Sequence, residues 1–207
     1  MSQQQVTQIV TLTGMGGVGK STATDDLLGY KVLFSPLPGV MTRPARPSDR
    51  SWENTIISPD KFKVLSRAGR FACSVVVGDY QYGVLGDVVE AALADTGKIY
   101  IRILAPESLV PFRRFVRDRS PGSVTSFYLR VQDPNRTLLK RMIGRGDSME
   151  SAGRRLHLED GMDERMIELS KSYQEVHKEP LFHKIIFNDG DTHQTMMQVL
   201  QGISHTA

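Results

Sequence analysis

Residues 14 to 22, Gly14-Met15-Gly16-Gly17-Val18-Gly19-Lys20-Ser21-Thr22, constrain the chain more than any other stretch. Their spacing, G-x-x-x-x-G-K-S-T, is the phosphate-cradling P-loop pattern. The preceding Gln8-Ile9-Val10-Thr11-Leu12-Thr13 is short, apolar and rich in β-branched residues, which predicts a buried strand. After the loop, Ala23, Leu27 and Leu28 fall at helical spacing between Ser21 and Leu28. Strand, glycine loop and helix form the context in which the pattern can bind phosphate. Gly14, Gly16, Gly17 and Gly19 let backbone N–H groups turn inward, and the helix N-terminus adds partial positive charge. In that arrangement Lys20 reaches the outer phosphates of a nucleotide, the Ser21 hydroxyl is a Mg²⁺ ligand, and Thr22 closes the motif.

The rest of the composition bounds what surrounds this loop. With 207 residues, 40% of them hydrophobic, the chain can bury one substantial core. A net charge of +3 and a sequence pI near 9.0 suit an anionic small molecule as well as nucleic acid and do not choose between them. The single cysteine, Cys73, excludes an internal disulfide and a cysteine-rich metal cluster, and points to a reducing, cytoplasmic setting. No run approaches 18 consecutive apolar residues, so no membrane-spanning helix is expected. The opening Met-Ser-Gln-Gln-Gln lacks the charged and apolar regions of a signal peptide. There is no internal repeat.

Along the chain, Tyr30 to Ser35 predicts a second strand. Prolines 36, 38, 44 and 47 then exclude a helix from a stretch that carries Arg43 and Arg46. Two guanidiniums there could converge on one phosphate, or remain a solvated pair. Ser58-Pro59-Asp60 is a helix start, with Phe62 and Leu65 facing inward and Gly69 ending the helix. Phe71 to Val77 predicts a strand, residues 78 to 83 a turn with two tyrosines, and Asp87 a cap for a helix that Gly97 stops. Lys98 to Leu104 alternates as a strand. Pro106 to Arg117 carries Leu109, Phe112, Phe115 and Val116 on one helical face with arginines opposite.

Val124 to Val131 is expected as a strand and Asp133-Pro134 as the start of the next helix. After the charged 144–147 stretch, Met162, Met166, Leu169, Tyr173 and Val176 form the core stripe of a long helix. Lys184 to Phe187 is the last strand, Asn188-Asp189-Gly190 a turn, and Asp191 the N-cap of a final helix stopping near Gly202. The alternation predicts an α/β fold, a parallel sheet with helices on both faces. Residues 40 to 85 interrupt it with short strands and one short helix, and read as an insertion.

The order of these motifs resembles the guanylate kinase family of P-loop nucleoside monophosphate kinases, over nearly the whole chain from Ile9 to Ile203. Gly14 to Thr22 matches the family's P-loop. Thr42-Arg43-Pro44-Ala45-Arg46-Pro47 is similar to its T-R-x-x-R-P phosphate clamp, and Ser58 to Phe62 to its S-x-x-x-F helix start. Tyr82-Gly83 matches its Y-G pair, Arg141 to Gly146 with Arg155-Leu156 its lid, and Asn188-Asp189 its adenine-side N-D turn. The resemblance implies a single P-loop domain of three layers. Its core would be 1–39 and 86–207, its acceptor-binding insertion about 40–85, and its arginine-rich lid about 144–158. It implies ATP and Mg²⁺ as cofactors and a small phosphorylated acceptor held by Arg43, Arg46 and Tyr82. Lys20, Arg145 and Arg155 would neutralise the transferring phosphoryl group, and Arg141 and Asn188 would lie near the adenine. No membrane or nucleic-acid partner is expected, and the chain would act as a monomer or homodimer.

The chain departs from the family at the residues that read guanine. A Glu shortly after the position of Phe71 and a Ser or Thr after Tyr-Gly are replaced by Cys73 and Val84, neither of which can accept two N–H bonds. The acids at the end of the 98–104 strand are also missing; Glu107 and Asp79 are the candidates to replace them as support for Mg²⁺. Ser51 to Asn54, Tyr82-Gly83-Val84 and Asn188-Asp189-Gly190 look at least as much like ribose 1,5-bisphosphate kinases, whose acceptor has no base. A nucleoside or deoxynucleoside monophosphate is the first expectation for the acceptor and ribose 1,5-bisphosphate the second. A non-catalytic binding module on the same fold is the alternative of another class; retention of Lys20 and Ser21 argues against it. The five histidines show no metal-ligand spacing.

Overall fold

The first strand, β1 (Ile9–Thr13), is buried along its whole length, as its apolar, β-branched sequence requires of a strand with both faces covered. The computed structural model describes residues 8–190 and 192–204. It contains a five-stranded sheet in the order β2-β7-β1-β8-β9, where β2 is Phe34–Pro36, β7 Ile99–Ile103, β8 Val124–Arg130 and β9 Lys184–Phe187. β2 runs parallel to β7, and β8 parallel to β9. A second sheet has the order β4-β3-β6-β5, with β3 Gly39–Met41, β4 Asn54–Ile56, β5 Phe71–Val77 and β6 Tyr80–Leu85. The expected α/β architecture with a parallel central sheet is present, and residues 39 to 85 form a sheet of their own.

Two compact units divide the described residues, one holding Leu28–Thr125 with residues 8–11, the other Leu12–Leu27 with the chain from Ser126 onward. In the first unit, α2 (Pro59–Arg67) starts as anticipated. Ser58 accepts a hydrogen bond from the Lys61 amide at 3.2 Å, Pro59 takes the first turn, and Gly69 (φ +63°) follows the end. Phe62 is buried and stacks on Phe71 of β5, with centroids 4.5 Å apart; Leu65 is only half-buried. α3 (Gly86–Ala94) and α4 (Pro106–Arg117) complete the unit.

Several boundaries here differ from the sequence expectation. Tyr30 to Leu33 is a turn, closed by the Leu33 and Phe34 amides on the Tyr30 carbonyl, so the strand begins only at Phe34. The turn expected over 78–83 is confined to Gly78-Asp79; Tyr80 onward pairs antiparallel with β5, from Val77↔Tyr80 to Phe71↔Leu85. Asp87 does not cap α3, whose N-cap is Leu85, because it lies inside the first turn and bonds Arg70 at 2.7 Å. On α4, Arg113 is buried on the apolar side, since it follows Leu109 by four residues and so shares its face.

The second unit carries α1 (Lys20–Leu28), α5 (Pro134–Gly144), α6 (Met149–Leu158), α7 (Met162–His177) and α8 (Thr192–Ser204). Asp133 caps α5 through the Arg136 amide at 3.1 Å. The expected stripe on α7 is only half core: Met166 and Tyr173 are buried, whereas Leu169 and Val176 are exposed. α8 does not stop at Gly202 but runs through it. A Cβ there would collide with the Phe127 ring of β8, so this glycine serves a close approach of helix to strand. The proposed cap Asp191, and His205, lie outside the described residues. No helix of the described residues is long and apolar enough to cross a membrane.

Candidate active site

Both sets of candidate phosphate-binding residues are built by elements the sequence dictates locally. In the second unit the loop after β1 opens α1 directly, so Lys20 is the first helical residue and Ser21 lies in the first turn. Gly14 has no room for a side chain, because a Cβ would strike the Leu129 carbonyl of β8. Gly19 sits at φ +99°, a conformation costly for any L side chain, and a Cβ there would strike the Asn188 amide. Lys20 Nζ donates to the carbonyls of Gly14 and Met15, at 2.7 and 2.8 Å, so its ammonium lies over the loop itself.

Asn188, expected near an adenine, is 3% exposed and bonds to the loop. Its Nδ2 donates to the Val18 carbonyl at 2.8 Å, its Oδ1 accepts from the Thr195 hydroxyl at 2.9 Å, and its own carbonyl accepts from Arg141 Nη2 at 2.7 Å. Asn188 and Arg141 thus form a brace from β9 and α5 to the glycine loop. Arg145 pairs with Asp147 at 2.6 Å beyond the end of α5. Arg155 lies beside Gly16, whose added Cβ would come within 2.8 Å of its Cδ. No local motif marks Glu159 as part of this site. Its Oε2 accepts the Gly16 N–H at 2.5 Å, and its Oε1 is 3.7 Å from Arg155 Nε. A carboxylate of the chain itself therefore sits on an amide of the phosphate loop.

Behind the loop, Tyr128 on β8 donates to Asp163 Oδ1 at 2.6 Å, and Arg130 Nε is 3.1 Å from Asp163 Oδ2. Burial, then the bond to Asp163, push the Tyr128 phenol far above its ordinary value, so it stays a donor. The proximity of Arg130 to Asp163 lacks hydrogen-bond alignment, which leaves both atoms without such a partner.

In the first unit Arg43 is 8% exposed and fully directed. Nε donates to the Tyr82 hydroxyl at 3.1 Å, Nη1 to the Pro44 carbonyl at 2.8 Å, and Nη2 to Asp49 Oδ1 at 2.7 Å. Asp49 Oδ2 also accepts the Arg46 backbone N–H at 2.8 Å. Burial raises the Asp49 carboxyl, but Arg43 and the Arg46 amide together outweigh it and hold the group below the usual carboxylate range. Arg43 and Tyr82 are thus brought together as expected, whereas the Arg46 side chain is exposed and only its backbone joins the cluster. The D at the end of R-x-x-R-P-S-D was the available signal for Asp49.

Cys73 and Val84 pair across β5 and β6 and are both buried. Burial pushes the Cys73 thiol up to about 11. Arg102 lies on the strand that lacks the expected acids, and neither Asp79, Glu107 nor any other place among the described residues has a group of three or more metal-ligating side chains.

The glycine loop fits a nucleotide phosphate chain: it is a cradle that Cβ atoms would fill, with one lysine over it. Ser21 fits Mg²⁺ in the manner of ions held largely by substrate phosphates and water.

No protein-family model and no curated protein sequence matches the chain. A solved structure that does match is the guanylate kinase from Anaplasma phagocytophilum, with a TM-score of 0.65 and 15% identity over 98% of this chain and 87% of that one. The chain has a guanylate kinase-like fold.

Proposed function

We propose that the protein is an ATP-dependent kinase that phosphorylates a small phosphorylated acceptor. The observation that carries this reading is the glycine loop between β1 and α1, complete with Lys20 and Ser21 and backed by the Asn188 brace. A binding module that had abandoned catalysis would have no use for a lysine held over a phosphate cradle.

An oxygen of the acceptor's phosphate attacks the γ-phosphorus in line. A P–O bond forms to that oxygen, the bond to the β,γ-bridging oxygen breaks, and its electron pair leaves with ADP. No general base is needed, because a phosphate oxyanion is already a nucleophile at neutral pH. Phosphoryl transfer depends on positioning and charge neutralisation. Lys20 supplies the cation at the outer phosphates, Arg145 and Arg155 supply further positive charge once they exchange Asp147 and Glu159 for the nucleotide, and Arg141 with Asn188 steadies the loop. Mg²⁺, with Ser21 as a ligand, would neutralise phosphate charge when bound. Arg43 and Tyr82 hold the acceptor phosphate, and Arg46 closes on it from its exposed position. The 144–158 segment acts as a lid that excludes water, and 40–85 serves as the acceptor-binding insertion.

Two acceptor classes suit this reading, a nucleoside or deoxynucleoside monophosphate and ribose 1,5-bisphosphate. Burial of Cys73 and Val84 favours the second, since neither offers a hydrogen-bond acceptor to a base. The test is a coupled assay of ADP formation by the purified protein with every nucleoside monophosphate and with ribose 1,5-bisphosphate. Acceptor-dependent ADP formation is expected; ADP formation with none of them would favour the binding module.

A further inference from the structure

α2 lies on one face of the second sheet, and its two sides pack differently. Phe62, 3% exposed, stacks on Phe71 with centroids 4.5 Å apart. The Phe71 ring in turn fills the space over Gly83, where an added Cβ would strike it. Over β5 and β6 the layer is therefore closed. Towards β3 and β4 the helix offers Lys61 and Leu65, four residues apart and so on one side of it. That side carries no aromatic ring, and a half-open cavity of about 290 Å³ remains between it and the strands.

The register of the sheet identifies the floor of this cavity. Val40 pairs with Thr55 on one side and with Gly83 on the other. Ile57 and Leu85 lie two residues beyond Thr55 and Gly83, so all share the face that α2 covers. Val88, in the first turn of α3, adds a wall. Met41 and Tyr82 alternate with Val40 and Gly83 and face the other way, so the cavity is separate from the Arg43 and Tyr82 pair.

Two features set the cavity apart from a packing gap. Ile57, Leu65, Leu85 and Val88 are only half-buried, so a continuous apolar lining stays open to solvent. The backbone N–H of Lys61 is taken by Ser58, but its ammonium makes no hydrogen bond or ion pair among the described residues. Asp60, its neighbour in sequence, projects from another side of the helix, and Asp87, beside Val88, is paired with Arg70 at 2.7 Å. An apolar pocket with a few converging polar groups is the usual form of a small-molecule site.

The lining also specifies the chemistry of an occupant. Its apolar side chains suit an alkyl chain, since burial of each methylene is favourable. One unpaired ammonium at the rim balances one negative charge; that suits a carboxylate and would leave a phosphate monoester, at about −2, half paired. The volume is the share of about ten waters, which gives room for a molecule the size of octanoate. We propose that this cavity binds a medium-chain carboxylate, with its alkyl chain on Val40, Ile57, Leu65, Leu85 and Val88 and its carboxylate on Lys61. Such a site does not depend on the protein's being a kinase, and binding alone tests it.

Calorimetry of the whole protein with octanoate, below its micelle concentration, should give saturable one-to-one binding. Affinity should rise about fourfold for each methylene from hexanoate to octanoate. Octanol should bind about fivefold more weakly than octanoate, and octylamine more weakly still. Lys61→Met, which keeps the apolar stem and removes the charge, should cancel the advantage of octanoate over octanol. Leu65→Trp, which fills the cavity from α2, and Val88→Trp, which fills it from α3, should each abolish binding. Thermal unfolding of each variant establishes that it is folded, and either filled variant suffices if the other unfolds. Saturable binding that ignores chain length, octylamine binding as tight as octanoate, unchanged binding in a folded filled variant, or no binding at all would overturn the proposal.

Discussion

In the loop after β1, the expected phosphate donors are backbone amides, shaped by glycines such as Gly19 at φ +99°, and one lysine. Just beyond β3 of the second sheet they are a single buried guanidinium, Arg43, held by Tyr82 at Nε and by Asp49 at Nη2. Each holds a carboxylate of the chain: Glu159 on the Gly16 amide, Asp49 on Arg43 and the Arg46 amide. The two carboxylates differ in depth of commitment. Asp49 bonds two donors and fixes Arg43, the side chain proposed to hold the acceptor, while Glu159 bonds one amide of a loop already braced by Asn188. Asp49 thus belongs to the architecture of its site, whereas the proposed function requires Glu159 to give way to a phosphate.

The largest effect should come from the loop. Lys20→Ala is expected to lower kcat about a thousandfold, as loss of a preorganised transition-state cation does; near-normal turnover in a coupled assay would remove the loop from catalysis. Next, Arg43→Ala should raise the acceptor KM about 30-fold, the worth of one or two charge-assisted hydrogen bonds, with the ATP KM within about twofold. Steady-state kinetics with each substrate varied distinguishes the two halves, and an unchanged acceptor KM would dissolve the clamp.

Asp49→Asn should destabilise the fold by about 1–2 kcal/mol at pH 7, because the pair it breaks is largely buried but still partly wet. The sign of its pH dependence follows from the lowered folded-state pKa. The contribution is complete above the ordinary carboxylate value of about 4 and disappears as pH falls through the folded-state value. Urea unfolding of both proteins should therefore show a gap at pH 7 that narrows below about pH 4; a pH-independent gap would contradict this role. The smallest effect is at Glu159. Glu159→Gln should tighten ATP binding about threefold, since a neutral amide oxygen competes less well than a carboxylate for the Gly16 amide. Weaker binding, measured with a fluorescent ATP analogue, would make Glu159 part of the architecture like Asp49.

The same contrast governs how much was legible beforehand. The β1–loop–α1 unit, the Ser58 and Asp133 caps, and strands such as Phe71–Val77 and Lys184–Phe187 follow from local chemistry, and they lie where the residues indicate. Boundaries failed where a distant partner decided them. Tyr80 to Leu85 follows the turn-like Gly78-Asp79, yet it becomes a strand because β5 offers a ladder. Gly202 has the identity of a helix stop, but its role comes from the Phe127 ring against it.

The sequence alone determined the phosphate loop, because glycine spacing sets backbone conformation within a few residues, and it determined the parallel α/β alternation through hydrophobic periodicity. The resemblance it carries also implies that Cys73 and Val84 depart from the residues that read guanine. Only the tertiary structure decided which distant residues meet. Arg102 is 48 residues from Asn54 in the chain, Glu159 143 from Gly16, and Asn188 170 from Val18. Pairings of that range are fixed by which strands and helices pack together, and no local propensity encodes them.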